Sequence, residues 1–261
     1  MNILLNGING YMGGEVVKLA AMGYRNTNIL IGVDITADGT EAPLAVKSVK
    51  EIDSVSEIDC IIDFSHHSTA PELLAFAKAN KLPVVLATTG HTEQELKEIR
   101  DASRYIPVFF SANMSLGVAL LVELAKKTAA AMPDAEIEII EKHHSRKLDA
   151  PSGTALMIAN ALTEVRGDAY VNTGRCGNGK RSKEEIGIHA VRMGNIVGVH
   201  EVIVGTQNQT ITLKHEAHSR ALFAEGAISA AEFLVGCEAG LYDMKSLISG
   251  EKKKDAALSV N

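Results

Sequence analysis

Along roughly the first hundred residues, short apolar runs alternate with stretches whose apolar positions recur at helical spacing. Ile3–Asn6 reads as a strand, Gly13–Ala21 carries Val16, Val17, Leu19 and Ala20 at helical spacing, and Asn28–Val33 is a second apolar strand that ends at Asp34. The alternation continues through strands at Ile58–Phe64, Pro83–Ala87 and Pro107–Phe110 and helices at Thr69–Asn80 and Thr92–Arg104. Strands separated by single helices predict a parallel sheet covered on both faces.

After Asn113 the pattern changes. Leu116–Met132 predicts a long amphipathic helix, and Ala135–Glu141 alternates Glu136 and Glu138 with Ile137 and Ile139, the period of a half-exposed strand. Strands at Ile186–Arg192, Ile196–Val204 and Gln209–His215 follow with turn residues between them and no helix, which predicts a small open sheet, antiparallel or mixed. Arg220–Leu234 is again helical, with Leu222, Phe223, Ala227, Ala230, Ala231 and Leu234 on one face, and is expected to rejoin the first domain. The expected organisation is therefore α/β: a Rossmann-type parallel-sheet domain from 1–114 and 219–261, and a second α+β domain with a small open mixed sheet from 115–218. The Gly-, Lys- and Arg-rich stretch Gly174–Lys183 reads as a loop between elements.

Composition narrows the classes of function. Lys and Arg number 26 against 32 Asp and Glu, a net charge of −6, which argues against a nucleic-acid partner or an anionic membrane surface. The three cysteines, Cys60, Cys176 and Cys237, are far apart and odd in number, which predicts reduced thiols in a cytoplasmic protein rather than a disulfide framework or zinc site. The N-terminal apolar stretch lacks a basic lead-in, and no run reaches bilayer length, so a soluble chain without a signal peptide is expected.

Between the first strand and the first helix lies Gly7-Ile8-Asn9-Gly10-Tyr11-Met12-Gly13. A dinucleotide pyrophosphate needs a tight turn, close backbone approach and close packing of helix on strand there, and glycine serves all three. A GxxGxxG spacing alone is weak and equally describes an unliganded turn. Its position between strand and helix favours a nicotinamide dinucleotide. Asp34, at the end of the second strand, is placed to accept hydrogen bonds from ribose hydroxyls and to repel a 2′-phosphate. Ile35 and Thr36 follow it rather than a basic residue, so NADH is the expected cofactor, with NADPH open through Lys47 or Lys50.

The second concentration of chemistry is Glu141-Lys142-His143-His144-Ser145-Arg146-Lys147-Leu148-Asp149-Ala150-Pro151-Ser152-Gly153-Thr154. His143, His144, Arg146 and Lys147, read as one loop, combine positive charge with groups that exchange protons near neutrality and suit a dianionic substrate. Ser152, Gly153 and Thr154 open a helix whose free N–H groups and hydroxyls can hold a carboxylate. Singly, each feature has a plainer explanation: surface histidines, and a serine that only caps its helix. No Cys or carboxylate spacing around His143 and His144 indicates a metal.

Taken in order, Gly7-x-x-Gly10-x-x-Gly13, Asp63-Phe64-Ser65, Thr88-Thr89-Gly90, Ser111-Ala112-Asn113-Met114-Ser115 and His143-His144-x-x-Lys147-x-Asp149-Ala150-Pro151-Ser152-Gly153-Thr154 resemble the motifs of the 4-hydroxy-tetrahydrodipicolinate reductase family. The resemblance runs from residue 1 to about Ser246, and the His-His segment is its specific part. It implies reduction of a cyclic imine-dicarboxylate by NAD(P)H with loss of water, on the route to diaminopimelate and lysine, in a homotetramer. It implies His143 as proton donor or acceptor, Lys147 as proton donor, and His144, Gly153 and Thr154 as substrate binders. It also implies that Ala87, Thr88, Thr89 and Gly90, with Ser111, Ala112, Asn113 and Met114, hold the nicotinamide half at strand ends. Which of His143 and Lys147 delivers the proton stays open. Two departures are Ile35 after Asp34, where family members carry arginine, and Met193 in place of a common glycine. Two rivals fit the same residues: a related reductase of another imine or aldehyde, and a non-catalytic nucleotide sensor.

Overall fold

The computed structural model describes residues 1–39 and 44–252. The end of the predicted first domain, beyond residue 252, lies outside the described residues. The chain divides into two compact units, one comprising Met1–Leu116 with the chain from Arg220 on, the other Gly117–Ser219.

The first unit begins β1 (Asn2–Asn6), α1 (Tyr11–Ala21), β2 (Asn28–Val33), β3 (Ala45–Val46), β4 (Cys60–Asp63), α2 (Ala70–Asn80), β5 (Val84–Leu86), α3 (Glu93–Ala102) and β6 (Pro107–Phe110). These strands pair in parallel in the order β6-β5-β4-β1-β2-β3. The apolar runs of β1, β4 and β5 are buried on both faces, as the centre of a helix-covered parallel sheet requires. The two-residue period sends Leu4, Ile61, Val84, Leu86 and Val108 to the face packed by Leu73, Leu74 and Ala77 of α2 and Ile99 and Ala102 of α3. α3 has the least apolar sequence of these helices and starts from a reciprocal cap. The Glu95 amide donates to Thr92 Oγ1 at 3.3 Å, and the Thr92 amide donates to the Glu95 carboxylate at 2.7 Å. Such a cap is worth about 1 kcal/mol. The strand order reverses at β1, which has β2 on one side and β4 on the other, and ligands of open parallel sheets bind beyond the carboxyl ends of the strands at such a reversal.

The second unit contains α4 (Leu116–Ala131, its first residue counted with the first unit), β7 (Glu136–His143), α5 (Gly153–Arg166), β8 (Tyr170–Thr173), β9 (Glu185–Arg192), β10 (Gly198–Gly205) and β11 (Thr210–Ala217). Its sheet runs β11-β10-β7-β9-β8, antiparallel from β11 to β7 and parallel from β7 to β8, so it is mixed as expected. One face, formed by Ile137, Ile139, Ile186, Ile188, Val202 and Val204, packs under Leu121, Ala125 and Ala129 of α4 and Ala155, Ile158, Ala159 and Leu162 of α5.

The chain then returns to the first unit as α6 (Ala221–Leu234), β12 (Gly240–Tyr242) and α7 (Met244–Ser249). α6 packs against α1 and the β4, β5 and β6 strands, and β12 adds in parallel to the free edge of β6. β3, β8, β12 and α7 were not expected from the hydrophobic pattern. The pattern also ended β7 two residues early: the strand continues through Lys142 to His143, so His143 is a strand residue and not part of a loop. No helix among the described residues is long and apolar enough to cross a membrane.

Candidate active site

In the first unit the expected cofactor residues stand at the carboxyl ends of β1, β2, β5 and β6. Gly7 has φ 84°, and a Cβ there would lie 2.7 Å from the backbone of Phe64 and Ser65. A Cβ on Gly13 would lie 2.1 Å from the Gly7 carbonyl oxygen. Both positions therefore require glycine for the turn to fold back against β4 and for α1 to sit against the turn. Gly10 is the N-cap of α1 and provides no side-chain cap, and the first turn holds no acidic residue. That leaves N–H groups and the positive end of the helix dipole for an anion.

Beside the turn lies a cavity of about 680 Å³ whose walls include Gly7, Asn9, Gly10, Asp34, Ile35, Lys47 and Ser65. Asp34 accepts hydrogen bonds from the Asn9 amide at 3.2 Å and from the Thr36 amide and hydroxyl at 3.0 and 2.7 Å, which fixes its carboxylate on the cavity wall. Ile35 is 82% exposed. Of the two lysines considered for a 2′-phosphate, Lys47 lines the cavity, whereas Lys50 is paired with Glu72 at 2.7 Å. A glycine turn with no room for side chains, an open helix end, a strand-end carboxylate and a cavity of this size fit a nicotinamide dinucleotide.

The loops after β5 and β6 carry the remaining cofactor candidates. Thr88 is buried and hydrogen-bonded to His91 Nε2 at 2.9 Å; Thr89 and Gly90, with φ 83°, follow. Ser111 Oγ donates to the Asn113 carbonyl at 2.8 Å, and the Ser115 amide donates to Asn113 Oδ1 at 2.9 Å, which shapes the loop holding Ala112 and Met114. Supporting groups lie beneath these loops: Asp63 and Ser65 belong to a motif noted in the sequence, whereas Glu95 and His67 were not singled out there. Asp63, wholly buried at the end of β4, accepts from Asn6 Nδ2 and Ser65 Oγ, and burial pushes its carboxyl up. Glu95 takes the Thr92 amide and His67 Nδ1, which hold its carboxyl down at about 2.

The second unit builds its site by continuing the buried face of its sheet. Along β7 that face runs Ile137, Ile139, Glu141, His143, and along β10 it runs Val204, Val202, His200, Gly198. Glu141 stands opposite His200 across β7 and β10, and His143 opposite Arg192 across β7 and β9. Glu141 is completely buried and accepts four hydrogen bonds: His143 Nδ1 at 2.5 Å, the Ser152 amide at 3.0 Å, and Arg192 Nη1 and Nη2 at 2.8 and 2.6 Å. Burial alone would raise its carboxyl, but the bonds from Arg192, His143 and Ser152 outweigh it and leave it below the ordinary value. His200 meets Ser152 Oγ at 3.2 Å and the His143 ring edge-on at 5.2 Å, and burial followed by His143 pushes it down to about 4.

Ser152 is the N-cap of α5, its hydroxyl accepting from the Ala155 amide at 3.2 Å. Gly153 is exposed and Thr154 half-buried at the start of that helix. Lys147 Nζ pairs with Asp149 at 2.7 Å, and Lys147 first, then backbone hydrogen bonds from Asp149 itself and Gly153, hold the Asp149 carboxyl below its usual range. His144, next along from His143, accepts the Lys147 amide on its carbonyl at 3.1 Å. Arg146, expected to share in the cationic group, instead reaches Asn195 Oδ1 at 2.9 Å. Glu141 thus joins His143 to Ser152 and Arg192, His200 meets Ser152, and Asp149 joins Lys147 to Gly153, with His144 and Thr154 the next residues along the chain. Of Glu141, Arg192 and His200, the first opens the His-His segment of the sequence, and a period of two continued beyond Ile188 and Val202 reaches the other two, but only the sheet register joins them to Glu141. Among the described residues, no cluster of three His, Cys, Asp or Glu could hold a metal.

The chain matches two family models, "Dihydrodipicolinate reductase, N-terminus" over residues 1–114 and "Dihydrodipicolinate reductase, C-terminus" over residues 117–248. It is 45% identical over 252 residues to a 4-hydroxy-tetrahydrodipicolinate reductase of Caldanaerobacter subterraneus subsp. tengcongensis, covering 95% of this chain and 98% of that one. It is 41% identical over 251 residues to the reductase of the same name from Clostridium novyi, with 95% and 98% covered. Among solved structures, the dipicolinate-bound dihydrodipicolinate reductase from Paenisporosarcina sp. TG-14 shares the fold, with a TM-score of 0.78 at 24% identity over 93% of this chain and 97% of that one. Matched in both halves, and by relatives of nearly its own length, this chain belongs to the dihydrodipicolinate reductase family.

Proposed function

We propose that this chain reduces 4-hydroxy-tetrahydrodipicolinate to tetrahydrodipicolinate, with NADH preferred over NADPH. The observation that carries the reading is the convergence of a buried His143–Glu141 pair, the Lys147 ammonium and the capped N-terminus of α5. A proton group, a cation and an anion-binding helix end in one place suit a cyclic diacid that gains a hydride and a proton and loses water. The name carried by relatives 41–45% identical to the chain supports the substrate.

The nicotinamide, when bound, supplies the hydride. The residues Gly7, Ile8, Asn9, Gly10, Tyr11 and Met12 hold the pyrophosphate at the head of α1, Asp34 receives the adenosine ribose, and the loops Ala87–Gly90 and Ser111–Met114 hold the nicotinamide half. His144, Ser152, Gly153 and Thr154 bind the substrate, the helix-end N–H groups and hydroxyls facing a carboxylate. His143 and Lys147 carry the proton that must accompany the hydride. The NADH preference rests on the Asp34 charge and on exposed Ile35, which offers no cation to a 2′-phosphate. Lys47, on the same cavity wall, is the residue through which NADPH is accepted. The family resemblance supports a homotetramer, and the widely spaced cysteines support a cytoplasmic setting.

The test couples the protein to dihydrodipicolinate synthase. NADH should be oxidised only when the synthase, pyruvate and aspartate semialdehyde are all present, and no oxidation in the complete mixture would sink the assignment. A kcat/KM for NADPH above that for NADH would overturn the cofactor preference. A nucleotide sensor would be stabilised by NADH alone; added pyridine-2,6-dicarboxylate raising Tm further separates the reductase from it.

A further inference from the structure

We propose that Glu141 is the positioning residue of this site: one buried carboxylate selects the ring nitrogen that His143 presents for proton transfer and ties that imidazole to the first turn of α5. The proposal rests on the reading of His143 as a proton group given above.

An ionised carboxylate only accepts hydrogen bonds, and it has about four lone-pair positions. At Glu141 these are matched by His143 Nδ1, both Arg192 terminal nitrogens and the Ser152 amide, at 2.5 to 3.0 Å. Three of those partners can only donate. The fourth, His143 Nδ1, meets the carboxylate as an N–H, so the neutral imidazole carries its proton on Nδ1 and leaves Nε2 as the acceptor. Nε2 lies 3.1 Å from where a Cβ on Gly198 would stand, so glycine at that position keeps the ring edge clear.

The bidentate Arg192 contact lets a wholly buried carboxylate remain charged in this place. Through Oε1 the same carboxylate holds Ser152, whose hydroxyl caps α5. The residue that sets the His143 tautomer thereby also anchors the helix end assigned to the substrate carboxylate. A merely structural Glu141 would neutralise Arg192 without controlling the ring.

Glu141→Gln distinguishes the two. The amide retains one acceptor oxygen, but its NH2 must then face a donor set in which only His143 Nδ1 can become an acceptor. Long-range proton–nitrogen correlation spectra, with His143 assigned by its loss in His143→Asn, report the tautomer once the ring is neutral. The expected result is Nδ1–H in the native protein and Nε2–H in Glu141→Gln. Alongside, kcat should fall roughly 10²- to 10⁴-fold, as for other catalytic histidines placed in the wrong tautomer, with KM for NADH unchanged. Glu141→Asp, which keeps the charge, should recover the Nδ1–H form and part of kcat. An Nε2–H tautomer in the native protein overturns the proposal without any variant, as does a Glu141→Gln protein that keeps Nδ1–H whether or not it keeps kcat. If the native protein fails to turn over in the synthase-coupled assay, the functional reading falls, while the tautomer measurement still decides the geometry.

Discussion

Burial of His200 gives the protein a quantifiable weakness to acid. The ring is 4% exposed on β10, faces His143 and meets Ser152 Oγ through its Nε2 at 3.2 Å. Burial pushes it down from 6.5 to about 4. The unfolded chain therefore binds the proton first, so this group's contribution to stability is fully present above about pH 6.5 and is lost as pH falls towards about 4. A difference of this size corresponds to about 3 kcal/mol in the acid limit, and linkage places about 2 kcal/mol of it between pH ~7 and ~5. That is a large part of an ordinary domain's stability. His200→Gln keeps a polar group in reach of Ser152 but cannot titrate. Denaturant midpoints and slopes measured across this window should show the native protein losing about 2 kcal/mol more than the variant. His91 and His215, also lowered by burial, act in the same window, but they do so in both proteins and cancel in the difference. Parallel stability curves for the two proteins would refute the argument that His200 is held neutral by burial.

Three further outcomes follow from the two sites. Lys147→Ala should lower kcat roughly 10²- to 10⁴-fold while NADH affinity, read by fluorescence titration, stays about constant; equal loss of both would contradict its place on the substrate side. Gly13→Ala should lower stability by about 1–3 kcal/mol and weaken NADH binding, because its Cβ would meet the Gly7 carbonyl oxygen at 2.1 Å; unchanged melting and affinity would show that the turn can yield. Lys47→Ala should reduce kcat/KM for NADPH by about tenfold, the worth of a charged hydrogen bond, and leave the NADH value nearly unchanged. A parallel loss with both cofactors would remove Lys47 from phosphate recognition.

The parts of the fold legible in the sequence are those where period and length agree. Asn28–Val33 and Pro107–Phe110 are strands with the expected bounds because each is a short apolar run: Val108 and Phe109 are wholly buried on opposite faces of β6, and β2 is half-buried from Ile29 to Ile31 and buried at Gly32 and Val33. β3 and β12, with two and three residues, are too short to show any period, and both are added at sheet edges by neighbours in space. β8 is an edge strand whose Tyr170 and Thr173 are exposed, so its apolar pattern is faint. α7 is six residues held by Asp243 and Ser246 capping each other, a signal carried by side chains and not by hydrophobic spacing.

The site shows the same limit for a different reason. A charged residue usually ends a buried strand face, because a lone ion in the interior costs several kcal/mol, and a reading by polarity therefore stops β7 at Glu141. Here the face continues because the polar residues satisfy one another across three strands: Glu141 with Arg192 and His143, and His200 with Ser152. Those partners lie 51, 2 and 48 residues apart in sequence, so only two of the five are neighbours that a linear pattern can join. The Gly7–Gly13 turn is legible because all of its requirements fall within one short segment. Glu141 is not, because the residues that make its burial tolerable are assembled by the sheet, and the register that pairs Glu141 with His200 and His143 with Arg192 is the step that turns an ordinary half-polar strand end into a place where a proton can be held on a chosen atom.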